Sequence, residues 1–161
     1  MAPLQALTGQ FLVLGLFPAA LSVAIATDLM GRVIPNLAIL ALILGFAVLA
    51  TLTGVPDLKL RLLLCAGVLA GGLALFAADM VGAGDAKLAA AVVLWLDPLQ
   101  VPVFLILCGL LGGGLVCIAL GRARLARWRP LAILPGLPYG VALAGAALLL
   151  FPFSALMALA A

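Results

Sequence analysis

Histidine is absent from this 161-residue chain. No imidazole is available to orient a serine nucleophile or to bind zinc, which excludes the commonest hydrolase and metal-site chemistries. Charge is almost as scarce: Asp, Glu, Lys and Arg make up 8% of the residues, against roughly 25% in a soluble domain. Hydrophobic residues make up 68%. A water-facing fold of that composition would expose a large apolar surface, so an integral membrane protein is expected. Of the three cysteines, Cys65, Cys108 and Cys117, none forms a C-x-x-C pair and all lie in apolar runs. Each reads as a small apolar packer. No basic residue precedes the first apolar run and further runs follow it, so it reads as a retained helix and not a cleaved signal. No internal repeat or long linker is evident, and residues 1–161 read as a single transmembrane domain.

What is present is a series of six apolar runs, at residues 7–26, 34–52, 62–78, 86–96, 101–120 and 139–159. A spanning helix needs about 20 residues, with roughly 17 as a lower limit. Five runs meet that; the fourth, with 11 residues, does not. It crosses only if residues 80–85 also lie at membrane depth in a water-lined recess, where non-helical backbone is tolerated. The expected fold is therefore an all-α polytopic bundle of about six transmembrane helices, the fourth short and partly re-entrant. Gly67 and Gly71, and likewise Gly109 and Gly113, stand four apart, a spacing that lets membrane helices pack closely.

Six crossings divide the joints between two faces. One receives Arg32, Lys87, Arg122, Arg124, Arg127 and Arg129; the other receives Lys59 and Arg61 with both termini. The excess of basic residues makes the first face cytoplasmic and puts the termini outside. The run at residues 121–129, with Trp128 at interfacial depth, reads as a contact for anionic lipid and not for nucleic acid.

Asp28 and Asp85 fall on that same cytoplasmic face because two crossings separate them. Alone, Asp28 also reads as an interfacial charge loosely paired with Arg32, and Asp85 as a helix N-cap. Gly82 and Gly84 argue for more, since their backbone freedom lets a short turn deliver a carboxylate beside a crowded bundle. Two carboxylates sharing a proton titrate apart, one raised and one left ionised. The ionised member can take a proton from water while the protonated member polarises a peptide carbonyl. That chemistry needs no metal and no other cofactor. Asp79, six residues before Asp85, either ends the third helix or lowers the local potential. Lys87 either holds a carboxylate ionised or reaches for headgroups. Asp57 and Asp97, on the opposite face, read as turn and solvation residues.

The blocks D-L-M-G-R-V-I-P-N at 28–36 and G-A-G-D-A-K-L at 82–88 resemble the two signature blocks of the prepilin peptidases, membrane aspartic proteases with a G-x-G-D motif. L-P-Y-G at 137–140 is similar to the loop that opens their last helix. The resemblance implies that Asp28 and Asp85 are the catalytic pair and that Gly82 and Gly84 are the motif glycines. It places Arg32, Pro35, Asn36, Lys87, Pro138, Tyr139 and Gly140 at supporting positions. Larger members carry an early cytoplasmic insert with paired cysteines and also N-methylate the trimmed pilin. Here Asp28 leads into the second run within eight residues and no cysteine pair is present. The chain is thus similar to the short, peptidase-only subfamily of tight-adherence and Flp-type pili. The implied activity is cleavage of a prepilin leader, a short basic segment joined to a long apolar helix, at the cytoplasmic face of a bacterial inner membrane. The implied partners are the prepilin, the bilayer and the pilus-assembly machinery.

Two rival readings belong to other classes. Paired acids in membrane spans also serve proton- or cation-coupled transport, and the chain would also suit a structural subunit of a pilus secretion complex. Transporters often show interrupted segments in both halves. Only one interrupted segment is read here, with the acids at one end of the bundle, which favours the protease.

Overall fold

The computed structural model describes the backbone of residues 2–125 and 138–158, and side-chain surroundings for residues 4–121 and 138–157. Within them every regular element is helical. The arginines of the basic run at 121–129 and the residues on to 137 lie outside the described side chains, as does the tail beyond Met157.

The chain opens with α1 (Ala2–Gln10), a π-helical stretch (Phe11–Leu16) and α2 (Phe17–Gly31). They form one apolar rod, Leu4–Gly31, of 28 residues. The wide turn has a local cause. Pro18 has no N–H to donate, and the Phe17 N–H reaches back to the Leu12 carbonyl, one residue further than in an α-helix. Next come α3 (Asn36–Thr53), α4 (Leu58–Ala77), α5 (Ala83–Trp95), α6 (Gln100–Leu125) and α7 (Tyr139–Leu150). A 3₁₀ turn (Phe151–Phe153) and the short α8 (Ala155–Ala158) follow α7.

Four helices are long and apolar enough to cross a bilayer: Leu4–Gly31, Asn36–Thr53, Leu58–Ala77 and Gln100–Gly121. The chain is a membrane protein. The two remaining apolar helices are short. α5 has 13 residues and α7 has 12, lengths of roughly 20 Å against a hydrocarbon core of about 30 Å. The sixth run, expected as a single helix over 139–159, stops at Leu150, because Pro152 can neither donate to the helical ladder nor fit behind a helical turn.

α5 survives at that length because its neighbours bury most of it. Every residue from Leu88 to Leu96 is buried, and the helix packs on α4, α3 and α7. Its contact with α4 is close: a Cβ on Gly72 would lie 2.7 Å from that of Ala86. Tyr139 crowds Gly112 of α6 in the same way, its Cε1 at 2.8 Å from a built Cβ. By contrast a Cβ on Gly67, Gly71, Gly109 or Gly113 would meet nothing within 4 Å. The glycines expected to seat neighbouring helices are thus open, and the seats lie one residue further along at Gly72 and one residue earlier than Gly113 at Gly112. Of the cysteines, Cys65 and Cys108 pack partly against the core as expected, whereas Cys117 is exposed.

The centre of the bundle is aromatic. Trp95 is fully buried, with Phe17 and Phe46 at ring-centroid distances of 5.0 and 6.0 Å. Its Nε1–H donates to the Leu42 carbonyl at 3.1 Å, so the one polar atom of the indole is satisfied. Just beyond lies an ion pair, buried at its arginine, that the sequence reading missed. Arg61 of α4 is 1% exposed and pairs with Asp97. Its Nη1 also donates to the carbonyls of Leu94 and Leu96 at 3.1 and 2.6 Å, and its Nε to that of Pro56 at 3.0 Å. The guanidinium therefore caps the C-terminal end of α5, meeting orphan carbonyls with positive charge at the negative pole of the helix. The second oxygen of Asp97 accepts the Ala155 N–H at 2.7 Å, so the residue is a structural hub and not a solvated turn. Arg61→Met is expected to lower stability by about 1–3 kcal/mol, the usual cost of leaving buried acceptors unsatisfied, because the Asp97 carboxylate left behind is partly exposed. Unfolding of the detergent-solubilised protein measures it. A change under about 1 kcal/mol would show that water replaces the guanidinium without loss.

Candidate active site

Asp28 and Asp85 line one recess of about 530 Å³, together with Arg32, Asn36, Gly82, Gly84, Lys87 and Tyr139. Each carboxylate arrives from a different part of the chain, and each is held at the N-terminal end of a helix.

Asp28 stands in the last turn of α2, which ends when Arg32 turns left-handed at φ 54° and returns its N–H to the Asp28 carbonyl at 3.0 Å. Pro35, in extended conformation, then starts α3 by capping it at Asn36. The Asp28 side chain is 5% exposed. Its Oδ2 accepts the Val141 N–H at 3.1 Å. Val141 lies in the first turn of α7, whose N-cap is Pro138; its N–H is shared between the carboxylate and the Pro138 carbonyl at 3.2 Å, and the positive pole of α7 faces Asp28. Gly140 makes that approach feasible: a Cβ there would fall 2.8 Å from Asp28 Oδ2 and 2.9 Å from Ile34 Cδ1.

Asp85 lies in the first turn of α5, which begins at Ala83 and is capped by Gly82. Its Oδ2 accepts the Gly82 N–H at 3.3 Å, the reach-back of a capping box made by the third helical residue. The helix therefore starts inside the G-x-G-D block, and Asp85 is not its N-cap. The expected reason for the glycines also changes. Gly82 has φ −72°, and Gly84 is not among the residues of positive φ. Close approach matters instead. A Cβ on Gly82 would sit 2.8 Å from Asp85 Oδ2, whereas one on Gly84 would make ordinary contact with Ile34 Cβ at 3.4 Å, leaving no room there for a larger side chain. Ile34 thus wedges between Gly84 and Gly140, the two glycines that flank the carboxylates. Its place in the V-I-P-N stretch gave no signal beyond an ordinary apolar residue.

Asp85, which lies outside the four long apolar helices, has its carboxyl pushed up to about 6. Burial is the first cause and the neighbouring Asp28 the second, while the Gly82 N–H opposes both.

Asp79 also lines the recess. It ends α4 as a boundary residue: left-handed at φ 56°, with its N–H on the Phe76 carbonyl and that of Met80 on the Leu75 carbonyl, both at 3.0 Å. This pair of bonds is a Schellman motif with aspartate in the place glycine usually takes. Among the described residues the Arg61–Asp97 bridge is the one ion pair, so Asp28 is not paired with Arg32. Arg32 and Lys87 are exposed at the rim. Pro35, Pro138 and Gly140 do not line the recess; they set where α3 and α7 begin.

The arrangement brings two carboxylates, one main-chain-anchored and one of raised pKa, to a recess large enough for an extended peptide segment. Residues 15–117 match the model of the type IV leader peptidase family, and the chain belongs to that family. It is therefore a membrane-embedded peptidase. The matched stretch contains Asp28 and Asp85 and ends before Pro138, Tyr139 and Gly140. No curated protein and no solved structure matches the chain.

Proposed function

We propose that the chain is an aspartic endopeptidase that cuts the leader from type IV or Flp-type prepilins at the cytoplasmic face of the inner membrane, without methyltransferase activity. The observation that carries this reading is the single recess lined by both carboxylates, each facing the N-terminal end of a helix.

In this mechanism Asp28 is the base and Asp85 the acid. A water held between them attacks the scissile carbonyl carbon and gives a proton to Asp28, while Asp85 protonates the carbonyl oxygen. Collapse of the tetrahedral intermediate breaks the C–N bond. The leaving amine takes the proton from Asp28, and Asp85 recovers its own from the collapsing hydroxyl. Asn36, Tyr139 and Lys87 line the rim where the leader and the mature N-terminus would lie. The membrane orientation rests on the basic bias. Arg61 is neutralised by Asp97, which leaves Lys59 as the free cation of the opposite end among the described side chains, against Arg32 and Lys87 at the recess.

Co-expression with a candidate prepilin, followed by the mass of its mature N-terminus, tests the reaction. An unmodified N-terminus is expected, and an added methyl group would overturn the peptidase-only assignment. The pH profile tests the chemistry. Because Asp85 is raised, it holds its proton below about 6 and loses it above. The rate on a leader peptide should therefore fall on the alkaline side as pH rises through about 6, and fall again in acid when both members are protonated. A chelator should change neither limb. Loss on chelation with recovery on added divalent metal would overturn the two-aspartate mechanism. Intact peptide with acid-driven ion flux in liposomes would favour the transporter.

A further inference from the structure

Asp85 lines a second hollow besides the recess. It closes one end of an apolar groove of about 630 Å³ between α4 and α6, floored by α5. Gly67 and Gly71 of α4 form one wall, Val101 and Leu105 of α6 the other, and Ala89 of α5 lies beneath. α4 packs chiefly on α5 and α6 on α7, with no comparable seam between α4 and α6, so the groove opens outward between them. Asp85 is the one charged residue in its lining.

We infer that this groove is the seat of the substrate's apolar helix, which enters sideways from the bilayer and presents the adjoining segment to the carboxylates. The inference rests on the peptidase reading above. Three observations carry it. The groove and the catalytic recess are continuous through Asp85 and Val81, which line both. It extends over residues 63–75 of α4, about 18 Å or three helical turns. And Gly67 and Gly71, one turn apart, have free space where a Cβ would stand. A missing side chain at that spacing lets a second helix backbone come close; a lipid tail has no need of it. The wall also explains why these glycines are not used in the fold's own packing.

Disulfide cross-linking tests this. Gly67→Cys, Gly71→Cys and, as a control, Gly113→Cys are each placed in an Asp28→Asn chain lacking the three native cysteines. Gly113 is equally open and lies outside the groove lining. The probe is a prepilin whose cleavage by the wild-type chain is established by N-terminal mass, with one cysteine walked along its apolar helix. Cross-links from positions 67 and 71 that recur every three to four substrate residues, and none from position 113, are expected. No link from 67 and 71, or equal links from 113, overturns the groove while leaving the peptidase standing. A wild-type chain that cuts no prepilin overturns the peptidase, and the occupant with it. In the chain lacking the three native cysteines, with Asp28 restored, Gly71→Leu should slow prepilin processing by at least about tenfold, a cost of roughly 1.4 kcal/mol. Gly113→Leu should leave it unchanged. Full speed in Gly71→Leu would assign the groove to lipid.

Discussion

Asp28→Asn and Asp85→Asn are each expected to abolish leader cleavage while the protein remains inserted at wild-type abundance. An amide keeps the shape of the carboxylate and can still accept the Val141 N–H at Asp28 or the Gly82 N–H at Asp85. The recess should therefore persist without its acid or its base. Members of a catalytic unit act together, so each single loss should lower turnover on the order of a thousandfold or more, and the double variant should be no worse than either single. The readout is conversion of prepilin to pilin beside membrane-fraction abundance. A variant that is inserted and fully active would remove that residue from the mechanism. Loss of protein in both variants would instead make the aspartates structural, as a secretion-complex subunit would have them.

The pair could be found in the sequence because charge is so scarce. With 13 charged residues among 161, two acids at the edges of apolar runs stand out, and the parity of the intervening crossings says whether they can meet. The helical class and the membrane setting follow from the same composition. Rotation of the helices was not legible. A helix apolar on every side carries no signal for which face meets a neighbour, so Gly67 and Gly71 read as a packing seam when the seam runs through Gly72. Long-range polar pairing was hidden for a related reason. Arg61 and Asp97 look like loop-edge charges in the sequence, and only the shortness of α5 brings its C-terminal carbonyls to the guanidinium. The break in the last run did have a signal, Pro152, outweighed in the reading by the apolar residues around it. The motif glycines were found for a reason that does not hold here: the sequence suggested left-handed backbone, whereas Gly82 is crowded by Asp85 itself and Gly84 lies against Ile34, 50 residues away in the chain.

Gly140→Ala should be the most damaging substitution outside the carboxylates. The added methyl would lie 2.8 Å from Asp28 Oδ2, 3.0 Å from its Cγ and 2.9 Å from Ile34 Cδ1. Relief must come from Asp28, from Ile34 or from the start of α7. Moving Asp28 breaks the 3.1 Å bond from the Val141 N–H and takes the base off its anchor. Moving Ile34 shifts a side chain that also neighbours Gly84, so the disturbance can be passed to the turn that carries Asp85. A displacement of about 1 Å in a reacting group costs roughly a hundredfold in rate, and an overpacked methyl costs about 1–3 kcal/mol in stability. The protein should thus remain folded in the membrane with kcat reduced about a hundredfold and KM little changed, because the groove and the rim are untouched. Gly84→Ala, whose nearest contact at 3.4 Å is one that small shifts of Ile34 relieve, should lose only a few-fold, and Gly84→Val much more. Turnover at matched protein levels compares the three. A fully active Gly140→Ala would mean that the placement of Asp28 against α7 is not what the reaction uses, and would return that carboxylate to the role of a buried helix-end charge.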